Sequence, residues 1–210
     1  MITKATFKCS SERISQVPKD TLPDIAFIGR SNVGKSSLIN MLTQHKGLAK
    51  VSATPGKTRL INHFTINDSW YLVDLPGYGY ARTSKNERGG FAKIITDYVF
   101  KCERMAMLFV LVDSRLDPQR IDSDFIEQLG VNGVPFGIIF TKCDKLSKAQ
   151  ADRSIAKWAR LLAEQWEELP PMMRSSSASG AGRDEIVAYI ESVVKQVEAQ
   201  RKAESNTQQL

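Results

Sequence analysis

Three cysteines in 210 residues, Cys9, Cys102 and Cys143, are an odd number set far apart. That excludes a disulfide framework and the paired spacing of a zinc site. Reduced thiols in a cytoplasm are the simpler reading. Long apolar runs are missing too. The longest candidate, Met105 to Val112, is eight residues and reads as a core strand, far short of the roughly 18 residues of a membrane span. The N-terminus, Met1 to Lys8, has no long apolar stretch followed by small residues, which argues against a secretory signal. There is no internal repeat. Acidic residues are outnumbered, 23 against 29 basic, for a net charge of +6. That balance favours polyanions such as nucleic acid or anionic lipid, and a nucleotide site also needs local positive charge. The length suits one domain with a substantial core. We divide it into a lead-in at 1–23, a principal domain at 24–200 and a polar tail at 201–210.

What the chain does have is Gly29-Arg30-Ser31-Asn32-Val33-Gly34-Lys35-Ser36, the G-x-x-x-x-G-K-S pattern of a phosphate-binding P-loop. The apolar run Asp24 to Ile28 before it suits a buried strand. Ser37 to Thr43 after it carries apolar residues at helical spacing. Strand, glycine loop and helix are the context that the motif requires. Glycines let the backbone wrap a phosphate with N–H groups inward, and the helix N-terminus adds partial positive charge. Lys35 is placed to reach the β- and γ-phosphates and the Ser36 hydroxyl to bind Mg²⁺, with Ser37 completing the loop.

The segment Gln44 to Lys57 lacks either period and reads as a loop. Within it stands Thr54-Pro55-Gly56-Lys57-Thr58. A switching P-loop NTPase needs a threonine here, its hydroxyl on Mg²⁺ and its N–H on the γ-phosphate. Thr58 is preferred to Thr54 because it directly precedes a strand, Arg59 to Ile66. That strand and Trp70 to Val73 flank Asn67-Asp68-Ser69 as a hairpin. The second strand runs into Asp74-Leu75-Pro76-Gly77. Asp74 is expected to support Mg²⁺ and Gly77 to give its N–H to the γ-phosphate. Lys35, Thr58 and Gly77 are the expected catalytic groups. A polar loop from Tyr78 leads to a helix at about Phe91 to Cys102.

Later elements follow in alternation: a helix at Ile121 to Leu129, a strand at Val134 to Phe140, a helix at Ser147 to Trp166, a short strand at Met172 to Ser175 and a closing helix at Asp184 to Ala199. Ala5 to Cys9 alternates as an edge strand does. The order predicts an α/β fold of three layers: a mostly parallel six-stranded sheet with one antiparallel edge strand and helices on both faces. At the tip of Val134 to Phe140 lies Thr141-Lys142-Cys143-Asp144, similar to the guanine-reading Asn/Thr-Lys-x-Asp motif. A carboxylate at Asp144 accepts from guanine N1–H and the 2-amino group together; adenine leaves it unpaired, a cost of about several kcal/mol. Lys142 would lay its stem along the base or the P-loop. Ser176-Ser177-Ala178 resembles the last guanine loop, where the Ser177 N–H would meet guanine O6.

Taken together, Gly29 to Asn40, Thr54 to Thr58, Asp74 to Tyr80 and Thr141 to Asp144 resemble the EngB/YihA/YsxC family of bacterial ribosome-biogenesis GTPases, over about residues 20–195. The resemblance implies GTP/GDP binding with slow hydrolysis, assistance to large-subunit ribosome assembly through rRNA, and a link to cell division and septation. A monomer in the cytoplasm is expected. Relatives with asparagine at the Asn32 position hold K⁺ with it. Tyr78 stands where Ras-type GTPases carry a water-positioning glutamine, and a phenol is a poor base. Unassisted hydrolysis is therefore expected at about 10⁻⁴–10⁻³ s⁻¹ or below. Lys46, Lys50, Lys57, Arg59, Arg82, Lys85 and Arg88 form a candidate RNA-facing set around the two loops. The competing class is a switch for cell division that acts through protein partners alone.

Overall fold

Apolar residues on both faces of every central strand dictate a sheet covered twice. The computed structural model describes residues 1–50, 60–78 and 85–207, with backbone alone at 85–92 and 206–207. Seven strands, β1 (Ala5–Ser11), β2 (Asp24–Gly29), β3 (Ile61–Ile66), β4 (Trp70–Asp74), β5 (Met105–Asp113), β6 (Phe136–Thr141) and β7 (Met172–Arg174), form one sheet in the order β1-β3-β4-β2-β5-β6-β7. Five helices connect them: α1 (Lys35–Thr43), α2 (Lys85–Lys101), α3 (Arg120–Val131), α4 (Lys148–Ala163) and α5 (Arg183–Thr207).

The expectation of six strands needs correcting to seven. β1 pairs antiparallel with β3, and β3 antiparallel with β4, while all other pairings are parallel. The one reversed strand is thus β3, second from the edge, because β1 in the lead-in adds outside the hairpin. Asn67 fastens that lead-in: its side-chain oxygen accepts from the N–H groups of Thr3 (2.9 Å) and Lys4 (3.0 Å). Asn67 and Asp68 have φ of 49° and 54°, left-handed values that Asn and Asp tolerate, in the three-residue loop between Ile66 and Trp70.

Alternate residues of the strands enter opposite cores. Ile25, Phe27, Met107, Phe109 and Leu111 pack with Leu38, Ile39 and Leu42 of α1 and Ile186, Ile190 and Val194 of α5. Ala26, Ile28, Leu108, Val110 and Val112 face Tyr98 and Val99 of α2, Ile126 and Leu129 of α3 and Trp158 and Leu162 of α4. Trp158 of α4 is buried in that core, and Trp166, just past the end of the helix, is partly buried against it. α4 starts on a capping box in which the Ser147 hydroxyl accepts from the Gln150 N–H and the Gln150 side chain accepts from the Ser147 N–H. Helix α2 begins six residues before the expected Phe91, and α5 runs eight beyond the expected Ala199. The polar residues at those ends carry no apolar period from which to read them. Among the described residues no helix is long and apolar enough to cross a membrane.

Candidate functional site

Because β2, β4, β5 and β6 run parallel, their C-terminal ends gather at one edge of the sheet, where ligands of open α/β folds bind. β2 ends at Gly29 and the loop 30–34 delivers the chain to α1. Gly34 adopts φ 105°, a left-handed value suited to glycine, and no side chain caps the first turn of α1 behind it. Lys35 opens that helix. It is 8 % exposed, and its ammonium contacts the carboxylate of Asp74, itself 3 % exposed, at the end of β4. The backbone continues past β4 alongside the loop. Leu75 N–H donates to Phe27 O (3.0 Å), and Tyr78 forms a parallel bridge with Arg30. Between them Gly77 is packed so closely that a Cβ there would stand 2.9 Å from Gly29 O.

The tip of β6 is tied to the same loop. The Thr141 hydroxyl lies 2.7 Å from Val33 O and 3.1 Å from Val112 O, two acceptors for its proton. Lys142, in a left-handed conformation at φ 60°, sends its stem along the P-loop rather than into solvent. Its Nζ donates to Asn32 O (2.6 Å) and to Asp113 Oδ2 (2.9 Å). The Cys143 N–H donates to Ser175 O (3.1 Å), which draws the serine loop alongside. There the Ser176 hydroxyl donates to Asp144 Oδ1 (2.8 Å), with Lys145 Nζ 3.3 Å from the other oxygen. The Ser176 hydrogen bond holds the Asp144 carboxyl below its ordinary range, so it is an ionised acceptor at neutral pH.

A family model described as 50S ribosome-binding GTPase matches residues 24–142. A Bacteroides thetaiotaomicron protein named probable GTP-binding protein EngB is 57 % identical over 196 residues, 93 % of this chain and 97 % of that one. The same name is carried by a Porphyromonas gingivalis protein, 53 % identical over 192 residues, 91 % of this chain and 96 % of its own. The chain belongs to the EngB family of GTP-binding proteins. It is a GTPase, and GTP and GDP are its ligands. The fold agrees. A crystal structure of a probable GTP-binding protein engB superposes with a TM-score of 0.68 at 22 % identity, covering 82 % of this chain and 99 % of that one. Era in complex with MgGDPNP and nucleotides 1506–1542 of 16S ribosomal RNA superposes at 0.63 with 21 % identity, over 81 % of this chain and 56 % of that one.

Of the residues assigned from sequence in this EngB-family chain, Gly29 to Ser37, Asp74 to Gly77, Thr141 to Asp144 and Ser176 to Ala178 lie around the C-terminal edge of the sheet or in the loops that leave it. Thr54, Pro55, Gly56, Lys57 and Thr58 lie outside the described residues, as do Arg59 and Arg82 of the basic set. The side chains of Lys85 and Arg88 are not described either, while Lys46 and Lys50 are exposed in the loop after α1.

Several residues that shape the site escape a sequence reading. Asp113 ends β5 and receives both Lys142 and the Arg115 guanidinium (2.9 and 2.7 Å). Burial pushes its carboxyl up, but the Arg115 and Lys142 bonds outweigh burial and hold it well below the usual carboxylate range. A charged residue directly ending the apolar run Met105 to Val112 was the available signal. Arg183 Nε donates to Met41 O and Leu42 O (both 3.2 Å), satisfying carbonyls at the end of α1.

Gly182 sets the serine loop. Its φ is 80°, and a Cβ would lie 1.8 Å from Arg174 O. Gly182→Ala should therefore force the turn apart and misplace Ser176, whose N–H donates to Ala181 O (3.0 Å). We expect stability to fall by about 1–3 kcal/mol and GDP to dissociate about tenfold faster. Thermal melting and the release rate of a fluorescent GDP check the two effects; an unchanged melting point would mean that the loop relaxes freely.

Proposed function

We propose that this GTPase assists assembly of the large ribosomal subunit, acting as a cytoplasmic monomer whose contact with ribosomal RNA depends on the bound nucleotide, and that normal cell division and septation depend on it through ribosome supply. The match of residues 24–142 to a family described as 50S ribosome-binding GTPase carries this reading. The net charge of +6 supports an RNA partner.

In the nucleotide site, the N–H groups of the loop 30–34 and Lys35 hold the β- and γ-phosphates. Asp144, held by Ser176, accepts from guanine N1–H and the 2-amino group, and the Ser177 N–H meets O6. Mg²⁺ fits the donors available, a Ser36 hydroxyl and the Asp74 carboxylate, both hard oxygens, with Thr58 as a third. Among the described residues there is no group of three or more His, Cys, Asp or Glu placed to hold a metal. That suits an ion held largely by phosphates and water. When bound, it would neutralise negative charge on the phosphates. Gly77 N–H and Thr58 meet the γ-phosphate. Asn32, exposed and left-handed at φ 64°, offers an amide oxygen for K⁺. Tyr78 takes no part as a base: burial and the Asp122 carboxylate push its phenol well above its ordinary value. Hydrolysis is accordingly slow until a ribosomal partner completes the site.

The test is sedimentation with purified ribosomal subunits, the protein being loaded with GDP or a non-hydrolysable GTP analogue. Binding to the large subunit should be preferential with the analogue. It should weaken by about tenfold or more from 50 to 200 mM salt, as phosphate contacts require. No binding in either state, with guanine-nucleotide affinity intact, would move the function to a switch acting through protein partners.

A further inference from the structure

Immediately after Gly77 the chain is held from three sides. The backbone of Tyr78 bridges to Arg30 in the P-loop. Its ring stacks on Phe125 of α3, with centroids 4.7 Å apart and planes at 30°. Its hydroxyl donates to Asp122 Oδ1 (2.8 Å), the same oxygen that lies 3.2 Å from Arg30 Nε. Asp122 is 2 % exposed, in the first turn of α3. One buried carboxylate thus ties together the phosphate loop, the residue following Gly77 and a helix that takes no part in phosphate binding.

We propose that Arg30, Asp122 and Tyr78 form a latch that makes Tyr78 a positioning residue and biases the protein toward GDP. The inference rests on the reading that Gly77 turns its N–H to a γ-phosphate. A Cβ on Gly77 would stand 2.9 Å from Gly29 O and 3.5 Å from Ser31 N, so this peptide lies flat against the P-loop strand. To follow a γ-phosphate it must leave that strand, which breaks the bridge to Arg30 and withdraws the phenol from Asp122. GDP makes no such demand. The latch therefore opposes GTP and not GDP. Burial of Asp122 raises its carboxyl from the ordinary value, so losing the phenol and the guanidinium leaves a costly buried group. Opening is correspondingly an all-or-none event at this oxygen.

Titration of the full chain with fluorescent GDP and a fluorescent GTP analogue tests this. Tyr78→Phe keeps the stacked ring and removes only the hydroxyl. Asp122→Asn keeps the shape and removes the charge that holds Arg30. Each should tighten the analogue relative to GDP by about tenfold, the size of one hydrogen bond to a charged group. Because both bonds share one oxygen, the double variant should gain little more than either single one. An unchanged ratio in both variants overturns the latch, as does an equal loss for both nucleotides, which a merely structural role produces. Gly77→Ala in the same titration separates the underlying reading. If it changes neither affinity, the Gly77 assignment fails whatever the latch variants do. If it weakens only the analogue, that assignment stands and the latch is judged on its own variants.

Discussion

Asp144→Asn should lower affinity for GDP and GTP by about a hundredfold or more and transfer preference to xanthosine nucleotides. The reason is donor against donor. Guanine presents N1–H and the 2-amino group, two donors, to whatever stands at residue 144. An ionised carboxylate accepts both; an amide accepts one and sets its own N–H₂ against the other. The unpaired donors cost about 2–4 kcal/mol once the base covers residue 144, a factor of roughly 30 to 1,000. Xanthine carries an oxygen in place of the 2-amino group, so the amide then pairs fully. The rest of the site should survive, because an Asn oxygen still accepts from the Ser176 hydroxyl that now holds Asp144 Oδ1 at 2.8 Å. Thr141 and Lys142 remain on Val33 O and Asn32 O. Competition of GDP and XDP against a fluorescent nucleotide reads the result. Adenosine nucleotides should gain nothing. Undiminished GDP preference in Asp144→Asn would remove Asp144 from base recognition altogether.

How much of this could be read from the chain depends on the range of each contact. The P-loop flanks, the hairpin turn at Asn67-Asp68 and the apolar run of β5 are local patterns, and they foretell the sheet and its helices closely. The seventh strand was harder to place. β1 pairs with β3 across a sequence separation of 50 residues or more, and a bulge between Phe7 and Cys9 shifts its register. The extended α2 starts within Lys85 to Gly90, where two glycines and four charged or polar residues give no apolar stripe. In the site, motif residues are legible because their chemistry is carried by spacing. Asp122 and Asp113 are not, and Gly182 reads only as part of a glycine turn with Gly180. Asp122 meets Tyr78 from 44 residues away, Asp113 meets Lys142 from 29, and what constrains Gly182 is the carbonyl of Arg174 reached by a turn. These residues act by holding motif residues in place, and only the folded arrangement shows which one holds which.

The other large effect falls on Lys35. Its ammonium and the Asp74 carboxylate are both buried and in contact, so each is the other's compensation. Lys35→Met should remove two things at once. It takes away the charge that meets the β- and γ-phosphates, and nucleotide affinity should drop by about a hundredfold or more. It also strands a buried carboxylate, at a cost of about 3–5 kcal/mol of stability, or about 10 °C in melting temperature for a chain of this size. The two losses come apart in the double variant Lys35→Met/Asp74→Asn. Neutralising Asp74 removes the stranded charge, so most of the lost stability should return. Nucleotide binding should not, because no cation has been restored and the carboxylate assigned to Mg²⁺ has gone as well. Thermal melting without nucleotide and equilibrium titration with GDP measure the two quantities on the same samples. Recovery of binding along with stability would mean that Lys35 serves the fold by neutralising Asp74 and that the phosphates are held by the loop N–H groups alone.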